Sequence, residues 1–174
     1  MTDGEQLSEH ANLAKKVVES FVRGEGVPGV EGAPEELTDR RAGVFVCLKK
    51  DGELRGCIGT IQPAASNIAE EIRNNAISSA TQDPRFPPVA LDELDSLSYS
   101  VDVLGDPEDI ADMSYLDPKV YGVIVRSGMR SGLLLPDLEG LDTPEEQVRI
   151  AAMKAGIRPS EPVKLQRFKV TRHD

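Results

Sequence analysis

Residues 43–59 read GVFVCLKKDGELRGCIG, and this stretch decides the fold. Its first six residues are apolar and rich in β-branched side chains, which predicts a buried strand. Asp51-Gly52 predicts a hairpin turn, after which the chain returns as a second strand. In that strand Arg55 and Cys57 flank Gly56, and a glycine inside a strand marks a bulge or the close approach of a ligand or another backbone. Because alternate side chains of a strand share a face, we expect the guanidinium and the thiol to project together.

The register of this hairpin depends on the length of its turn. A two-residue Asp51-Gly52 turn would place Cys47 opposite Gly56, on the face away from Cys57. A three-residue loop with a glycine bulge would place Cys47 opposite Arg55 instead. Neither register opposes the two cysteines directly, so we expect no disulfide between them.

The composition excludes several classes of protein. The chain has 174 residues and a formal net charge of −10, and no run of basic residues offsets that charge, which argues against nucleic-acid binding. No apolar stretch approaches the ~20 residues of a membrane span, so no membrane association is predicted. Residues 1–10 lack the basic and apolar regions of a signal peptide. We therefore expect a cytoplasmic protein with reduced cysteines.

Histidines and cysteines are too few for the common catalytic and metal sites. His10 and His173 lie near the ends of the sequence, where we expect disorder. A catalytic triad, a Cys-His pair and a four-ligand zinc site are therefore excluded from the prediction. No carboxylate loop has the spacing of a calcium site, so no metal and no cofactor is predicted.

The remaining sequence predicts a mixed α and β protein. Hydrophobic periodicity, capping residues and turn residues predict the other elements. In the first half of the chain they are a helix over 5–23, a loop over 24–34 and a helix up to 81 that is capped by Asn67. In the second half they are a strand over 97–103, a second hairpin over 120–135, a helix over 143–156 and a last, bulged strand over 163–170. We expect one α+β domain over 1–174 with a mostly antiparallel sheet. An alternative is that the N-terminal helix and residues 24–41 form a small subdomain within it.

The two predicted hairpins resemble each other in sequence. Residues 43–56 and residues 122–132 both contain a Gly-Val-(Phe/Ile)-Val strand, a turn and a returning strand with glycine, and a helix follows each. Two alternatives stay open, a duplicated hairpin-and-helix unit or a chance similarity of short strands.

Four ordered motifs resemble a known family. They are Gly43-Val44-Phe45-Val46, Leu54-Arg55-Gly56-Cys57-Ile58-Gly59, Asp83-Pro84-Arg85-Phe86-Pro87-Pro88 and Gly132-Leu133-Leu134-Leu135-Pro136. The sequence is similar to the AMMECR-type domain family, whose prokaryotic members are called AmmeMemoRadiSam system protein A. The similarity runs from about Leu7 to Phe168, and Lys154-Ala155-Gly156 fits it as well.

The resemblance implies a fold and partners. It implies no activity, because none is established for the family. The implied fold is an α+β architecture in which two related β/α repeats, flanked by helices, form a barrel-like sheet. The implied partners are a Memo-like protein and a radical S-adenosylmethionine enzyme. Many relatives carry Cys-Trp before the Lys-Ala-Gly motif, whereas this chain has Ala152-Met153. A mechanism that needs that second cysteine is therefore in question here.

The candidate site residues come from these motifs. Cys57 is the candidate nucleophile, although a cysteine can equally be a buried or ligand-lining thiol. Arg55 can be an anion clamp or half of a structural ion pair. The other candidate ligand-binding residues are Gly56, Gly59, Asp83, Arg85 and Arg130, the last as a second clamp if the repeat is real.

Two functions of different class remain open. The first is an accessory module that binds a small anionic ligand through Arg55, the backbone of Gly56 and Gly59, and Arg85. The alternative is an enzyme that uses Cys57 as the nucleophile of a thiol-dependent transfer reaction. The absence of a central histidine and of the second family cysteine favours the first.

Overall fold

The computed structural model describes residues 6–174, which divide into two compact units. Unit 1 contains the described residues up to Val103 together with Arg172–Asp174, and unit 2 contains Leu104–Thr171. The N-terminal helix and residues 24–41 are part of unit 1.

Twelve helices and strands make up the described chain. In unit 1 they are α1 (Glu9–Val22), α2 (Glu35–Thr38), β1 (Val44–Lys50), β2 (Glu53–Gly59), α3 (Ile68–Thr81) and β3 (Leu97–Leu104), the last of which ends at the boundary between the units. They continue with β4 (Glu108–Ile110), β5 (Gly122–Ser127), β6 (Arg130–Leu134), α4 (Pro144–Lys154), β7 (Lys164–Phe168) and β8 (Val170–His173). Short 3-10 helices span Leu91–Ser96 and Met113–Tyr115.

The strands form two four-stranded sheets, in the orders β2-β1-β3-β8 and β4-β7-β5-β6. The paired strands β1/β2, β1/β3, β4/β7, β5/β6 and β5/β7 are all antiparallel, which confirms the predicted α+β class. The expected barrel-like closure is wrong, because each sheet is open and keeps two edge strands. The predicted last strand, 163–170, corresponds to β7, and after an interruption at Lys169 a further strand, β8, runs from Val170 to His173 in the other sheet.

The core of unit 1 lies between one face of its sheet and the two long helices. Val44, Val46 and Leu48 of β1 are fully buried and alternate with half-buried or exposed residues. They contact the apolar stripe of α3, as the periodicity of that helix predicts. The Asn67 side chain accepts a hydrogen bond from the Glu70 amide and caps α3 at the predicted position.

Unit 2 repeats the hairpin-and-helix arrangement. Its hairpin is β5–β6, and α4 follows it with Thr143 as N-cap and Pro144 in the first turn, as predicted. The core contains Val123, Val125, Leu134 and Ala151.

A glycine on the second strand of each hairpin lets the following helix approach closely. A Cβ atom at Gly56 would lie 2.2 Å from the carbonyl oxygen of Ser79 in α3. A Cβ atom at Gly132 would lie 1.9 Å from the carbonyl oxygen of Ala151 in α4. Both distances are far below van der Waals contact, so no larger residue fits at either position. This shared close approach supports the duplicated unit over a chance similarity.

Two contacts tie the C-terminal residues of unit 1 to its N-terminal part. The guanidinium of Arg172 on β8 donates to both carboxylate oxygens of Asp102 on β3, at 2.8 and 2.9 Å. Asp102 is 1% exposed, so this bidentate pair neutralises a buried charge. The amide of Ser8 also donates to the carbonyl oxygen of Asp174 at 2.8 Å.

The two histidines form a stacked pair in unit 1. The ring centroids of His10 and His173 are 3.6 Å apart, with an angle of 8° between the planes. His10 is only 6% exposed, so the expectation of disorder at these two positions is wrong. Burial, followed by the nearby charges of His173 and Arg40, lowers the pKa of His10 from 6.5 to about 4.

The lowered pKa of His10 makes unit 1 sensitive to mild acid. A histidine that resists protonation in the folded state contributes stability that is complete above its unfolded pKa of 6.5 and is lost as the pH falls toward 4. We expect the free energy of unfolding to fall by about 2 kcal/mol between pH 7 and pH 5 because of His10. Urea unfolding at both pH values, with His10→Phe as the comparison, measures this loss. The prediction is contradicted if His10→Phe loses as much stability between pH 7 and pH 5 as the natural protein does.

Candidate functional site

A bulge in the β1–β2 hairpin brings the two cysteines together. The turn is the two-residue Asp51-Gly52 turn, with positive φ at both residues, and Lys50 pairs with Glu53. Lys49 pairs with Leu54, but Leu48 pairs with Gly56, so Arg55 has no partner on β1. This extra residue shifts the register by one position and flips the face of every residue after it.

As a result Cys47 lies directly opposite Cys57, and the two form a disulfide with their Cα atoms 4.1 Å apart. The Cys57 amide donates to Asp83 at 3.0 Å and so points away from β1, which makes this a non-hydrogen-bonded pair, the closer type. The expectations of no disulfide and of reduced cysteines are therefore wrong for this structure, because the bulge was not foreseen. A nucleophilic Cys57 thiolate exists only after the disulfide is reduced.

Arg55, the bulged residue, is committed to an ion pair. Its Nε and Nη2 atoms donate to the two carboxylate oxygens of Glu93 at 2.9 and 3.0 Å, and Nη2 also reaches the Pro88 carbonyl at 3.3 Å. Glu93 further accepts from Lys50 at 3.2 Å. The hydrogen bond from Arg55, followed by those from the Ala90 amide and Lys50, lowers the pKa of Glu93 from 4.5 to about 2. Arg55 is 9% exposed, which matches the structural ion pair among its two predicted roles.

Arg85 is the exposed cation of the motif. Its Nε and Nη2 atoms donate to Asp83 at 3.0 and 2.8 Å, and Nη2 reaches the Cys57 carbonyl at 3.4 Å. The Arg85 side chain is 54% exposed, whereas that of Asp83 is 2% exposed. Among residues 6–174 no hydrogen-bond partner of the Arg85 Nη1 atom is found. The guanidinium is thus held in place on one side and open on the other.

Asp83 organises the proline-rich turn around β2. Its carboxylate accepts from the amides of Cys57 and Arg85, each at 3.0 Å, as well as from the Arg85 side chain. The side-chain hydrogen bonds of Arg85 keep the pKa of Asp83 well below its usual range, although burial acts in the opposite direction. The ring of Phe86 lies near both guanidinium groups, with its centroid 5.9 Å from the Cζ atom of Arg55 and 5.6 Å from that of Arg85.

The two motif glycines face groups of the protein itself. Gly56 faces the backbone of α3, and a Cβ atom at Gly59 would lie 2.3 Å from the ring of Phe45. The close approaches indicated by these glycines are therefore made by a helix and by an aromatic ring.

Arg130 belongs to unit 2 and is not the counterpart of Arg55. It pairs with Ser127 at the end of its hairpin, and that hairpin has no bulge. Its guanidinium donates to the Gly156 carbonyl at 2.7 Å, just after α4, and to the carboxylate of Glu161. Arg130 thus ties the end of its hairpin to the chain that follows α4.

A polar stripe on α3 was missed by the sequence analysis. Glu71, Asn75 and Ser79 are at most 5% exposed and follow each other at a spacing of four residues. The Ser79 hydroxyl donates to the Val46 carbonyl at 2.6 Å and accepts from the Ile58 amide at 2.9 Å, so it bridges β1 and β2. The four-residue spacing beside the apolar stripe was the available signal.

Glu71 and Asn75 hold the chain that follows β2. Glu71 accepts from the Thr60 hydroxyl and from the amides of Ala64 and Ala65, at 2.6 to 3.0 Å. Asn75 donates to the Thr60 hydroxyl at 3.2 Å and to the Val44 carbonyl of β1 at 2.9 Å. The motif strand β2 is therefore anchored by side chains of α3 as well as by β1.

The described residues hold neither a metal-ligand cluster nor a membrane-spanning helix. Among residues 6–174, no group of three or more His, Cys, Asp and Glu side chains is arranged to hold a metal ion. In the same part of the chain, no helix has the length and apolar character needed to cross a membrane.

The fold and the motif strand define an α+β protein of two hairpin-and-helix units with a proline-rich turn beside β2. The sequence model of the AMMECR1 family matches residues 11–173, and the chain belongs to this family. The chain is also similar to the crystal structure of the uncharacterized protein PH0010 from Pyrococcus horikoshii, with a TM-score of 0.85 and 34% identity. That match covers 94% of this chain and 88% of the other.

Relatives occur in bacteria and archaea. A Thermotoga maritima protein is 58% identical over 96% of this chain and 99% of its own length. A Methanocaldococcus jannaschii protein is 39% identical over 89% of this chain and 83% of its own length. A Clostridium acetobutylicum protein is 48% identical over 97% of this chain, but the match spans only 36% of that protein. In that relative the family region is part of a longer polypeptide.

Proposed function

We propose that the protein is an accessory module that binds a small anionic ligand at the Arg85 turn, defined as residues 83–88 together with Cys57. The observation that carries the proposal is the Arg85 guanidinium, which Asp83 fixes on one side while Nη1 and half of the side chain remain open to solvent. An oriented guanidinium loses little freedom when it binds a carboxylate or a phosphate, so its fork is suited to such ligands.

The charges around this turn support an anionic ligand. Arg55, Arg85 and Lys50 contribute three positive charges, and Asp83 and Glu93 contribute two negative ones. These five groups sum to one positive charge, in a chain whose formal net charge is −10. Such a contrast concentrates small anions at one place on the surface.

The proposed site leaves out three of the residues that the sequence suggested for ligand binding. Arg55 is paired with Glu93 and only 9% exposed, and Gly56 and Gly59 face protein groups, so we assign these three residues to building the strand. Arg85 is assigned to the ligand, and Asp83 is assigned to orienting Arg85.

Titration calorimetry at low ionic strength tests the proposal with two probes, inorganic phosphate and succinate. We expect Arg85→Ala to weaken the binding of whichever probe binds by at least tenfold, since a charge-assisted hydrogen bond is worth about 1.5–3 kcal/mol. Arg23→Ala is the matched control, because Arg23 is another half-exposed arginine of unit 1, whose one ion pair within residues 6–174 is with Glu19 at 3.7 Å. Binding of neither probe, or equal weakening by both variants, would contradict the proposal.

We further propose that the module acts with a Memo-like protein and a radical S-adenosylmethionine enzyme. The motif resemblance supports these partners, and the longer Clostridium acetobutylicum relative supports a role beside another protein domain. Size-exclusion chromatography of the three purified proteins tests this part separately. We expect co-elution with at least one of the two. Separate elution at concentrations of tens of micromolar would reject the partners and leave the anion site unaffected.

A further inference from the structure

We propose that Cys47 and Cys57 are a reversible redox couple whose substrates are small thiols and disulfides, and that the Arg55–Glu93 pair positions the couple. This inference does not depend on the anion site. It rests on the location of the disulfide, on the bulge that creates it, and on the ion pair that holds the bulge.

The disulfide lies outside the core of unit 1. Val44, Val46 and Leu48 of β1 are fully buried, whereas Cys47, on the opposite face of the same strand, is only half-buried, as is Cys57. Neither cysteine is sealed in the apolar core, so the proposal has a small thiol reach the disulfide from this face, since access is the first requirement for exchange.

The fold has little need of this disulfide as a staple. Cys47 and Cys57 are separated by 10 positions in a hairpin that is already closed by a two-residue turn and by ladder pairing. In the loop-entropy model the stabilisation grows with the logarithm of loop length, so a loop this short lies toward the lower end of the range. Unit 1 also has a large apolar core, unlike the small domains that depend on disulfides. Opening the bond is therefore compatible with a folded unit.

The bulge at Arg55 places Cys57 opposite Cys47. Without the extra residue, the Asp51-Gly52 turn would place Gly56 opposite Cys47 and turn Cys57 to the other face. The bulge is held by the two hydrogen bonds from Arg55 to Glu93, a residue 38 positions away. Arg55 and Glu93 are thus positioning residues that raise the effective concentration of one thiol near the other.

The exchange balances with a small thiol, RSH, as reductant. Its thiolate attacks one cysteine sulfur, the Cys47–Cys57 bond breaks, and the other cysteine leaves as a thiolate that takes up a proton. A second RS⁻ attacks the small-thiol sulfur of the mixed disulfide, which releases RSSR and the second cysteine. Two thiols are oxidised, the protein disulfide gains two electrons and two protons, and the reverse reaction uses RSSR as oxidant.

Redox titration of the full chain with reduced and oxidised glutathione tests the couple. The protein is equilibrated without oxygen, quenched with acid, alkylated with N-ethylmaleimide and counted by intact mass. We expect a shift from no adduct to two adducts as the buffer becomes more reducing, with the same curve in both directions. A disulfide that persists in excess glutathione would overturn the proposal in favour of a structural staple. A dithiol that never closes in excess glutathione disulfide would overturn it too.

Variants of the ion pair test the positioning role. We expect Arg55→Ala and Glu93→Gln each to lower the equilibrium constant for disulfide formation by at least tenfold, and Arg55→Lys to restore part of it. Lys50→Ala is the matched control, since Lys50 contacts Glu93 from outside the bulge, and we expect a change below twofold. If circular dichroism shows that Arg55→Ala does not fold, the isosteric Glu93→Gln variant tests the positioning role instead. A folded variant with an unchanged constant would reject the positioning role.

Discussion

We expect Gly56→Ala to destabilise unit 1 by about 3 kcal/mol or more, because the new Cβ atom has no space. It would lie 2.2 Å from the Ser79 carbonyl oxygen, which belongs to helix backbone and cannot rotate away as a flexible side chain would. To relieve the contact, α3 must move away from β2, and the Ser79 hydroxyl would then lose its bonds to Val46 and Ile58. Urea unfolding followed by circular dichroism measures the loss.

Two other glycines calibrate this result. Gly132→Ala makes the equivalent contact in unit 2, at 1.9 Å from the Ala151 carbonyl oxygen, and we expect a loss of similar size there. Gly24→Ala has no atom within 4 Å of its Cβ position and suffers only from a positive φ of 73°, which costs about 1 kcal/mol. If Gly56→Ala costs no more than Gly24→Ala, the close approach of α3 to β2 is not the reason for glycine at this position.

We expect Asp83→Ala to cost unit 1 about 2–4 kcal/mol, because it removes four hydrogen bonds and a buried carboxylate. The amide of Cys57 loses its acceptor, and the Arg85 side chain loses the group that orients it. Asp95→Ala, at an exposed carboxylate of the same unit, should stay within about 0.5 kcal/mol of the natural protein. A similar loss in both variants would contradict the organising role of Asp83.

The acid response of the Asp83→Ala variant is a second measure of the same contacts. Arg85 keeps the pKa of Asp83 well below its usual range in the folded state, so the carboxylate contributes stability above the unfolded pKa of about 3.9. That contribution is lost as the pH falls further. We expect the natural protein to lose more stability than Asp83→Ala between pH 5 and pH 2. Since Glu93 titrates in both proteins, the difference between them isolates Asp83.

Local sequence signals predicted the elements of this fold well. The caps at Asn67 and Thr143, the apolar stripe of α3 and the two hairpins are local features, and each is present in the structure near its predicted place. Their physical basis is periodicity and turn chemistry within a few residues, which a sequence displays directly.

The register of the motif strand could not be predicted in this way. Both expected registers failed because neither included a bulge at Arg55, the residue whose side chain pairs with Glu93, 38 residues away. The separation of the strands into two sheets depends in the same way on long-range pairing, with the chain changing sheets after Phe168. The site was predicted in part. Arg85 and Asp83 were identified by their motif. The buried polar stripe Glu71-Asn75-Ser79 was not, because its hydrogen-bond partners are backbone groups that only the folded structure brings next to α3.

The pair Asp102–Arg172 has a consequence for the order of folding. Asp102 lies on β3, and its guanidinium partner is 70 positions later, so the entire sequence of unit 2 must be synthesised in between. Until then the emerging chain carries a sheet with one strand missing and a carboxylate without its partner. Completion of unit 1 is thus a late event of high contact order, limited by the arrival and docking of a four-residue strand rather than by the hairpin or the helices.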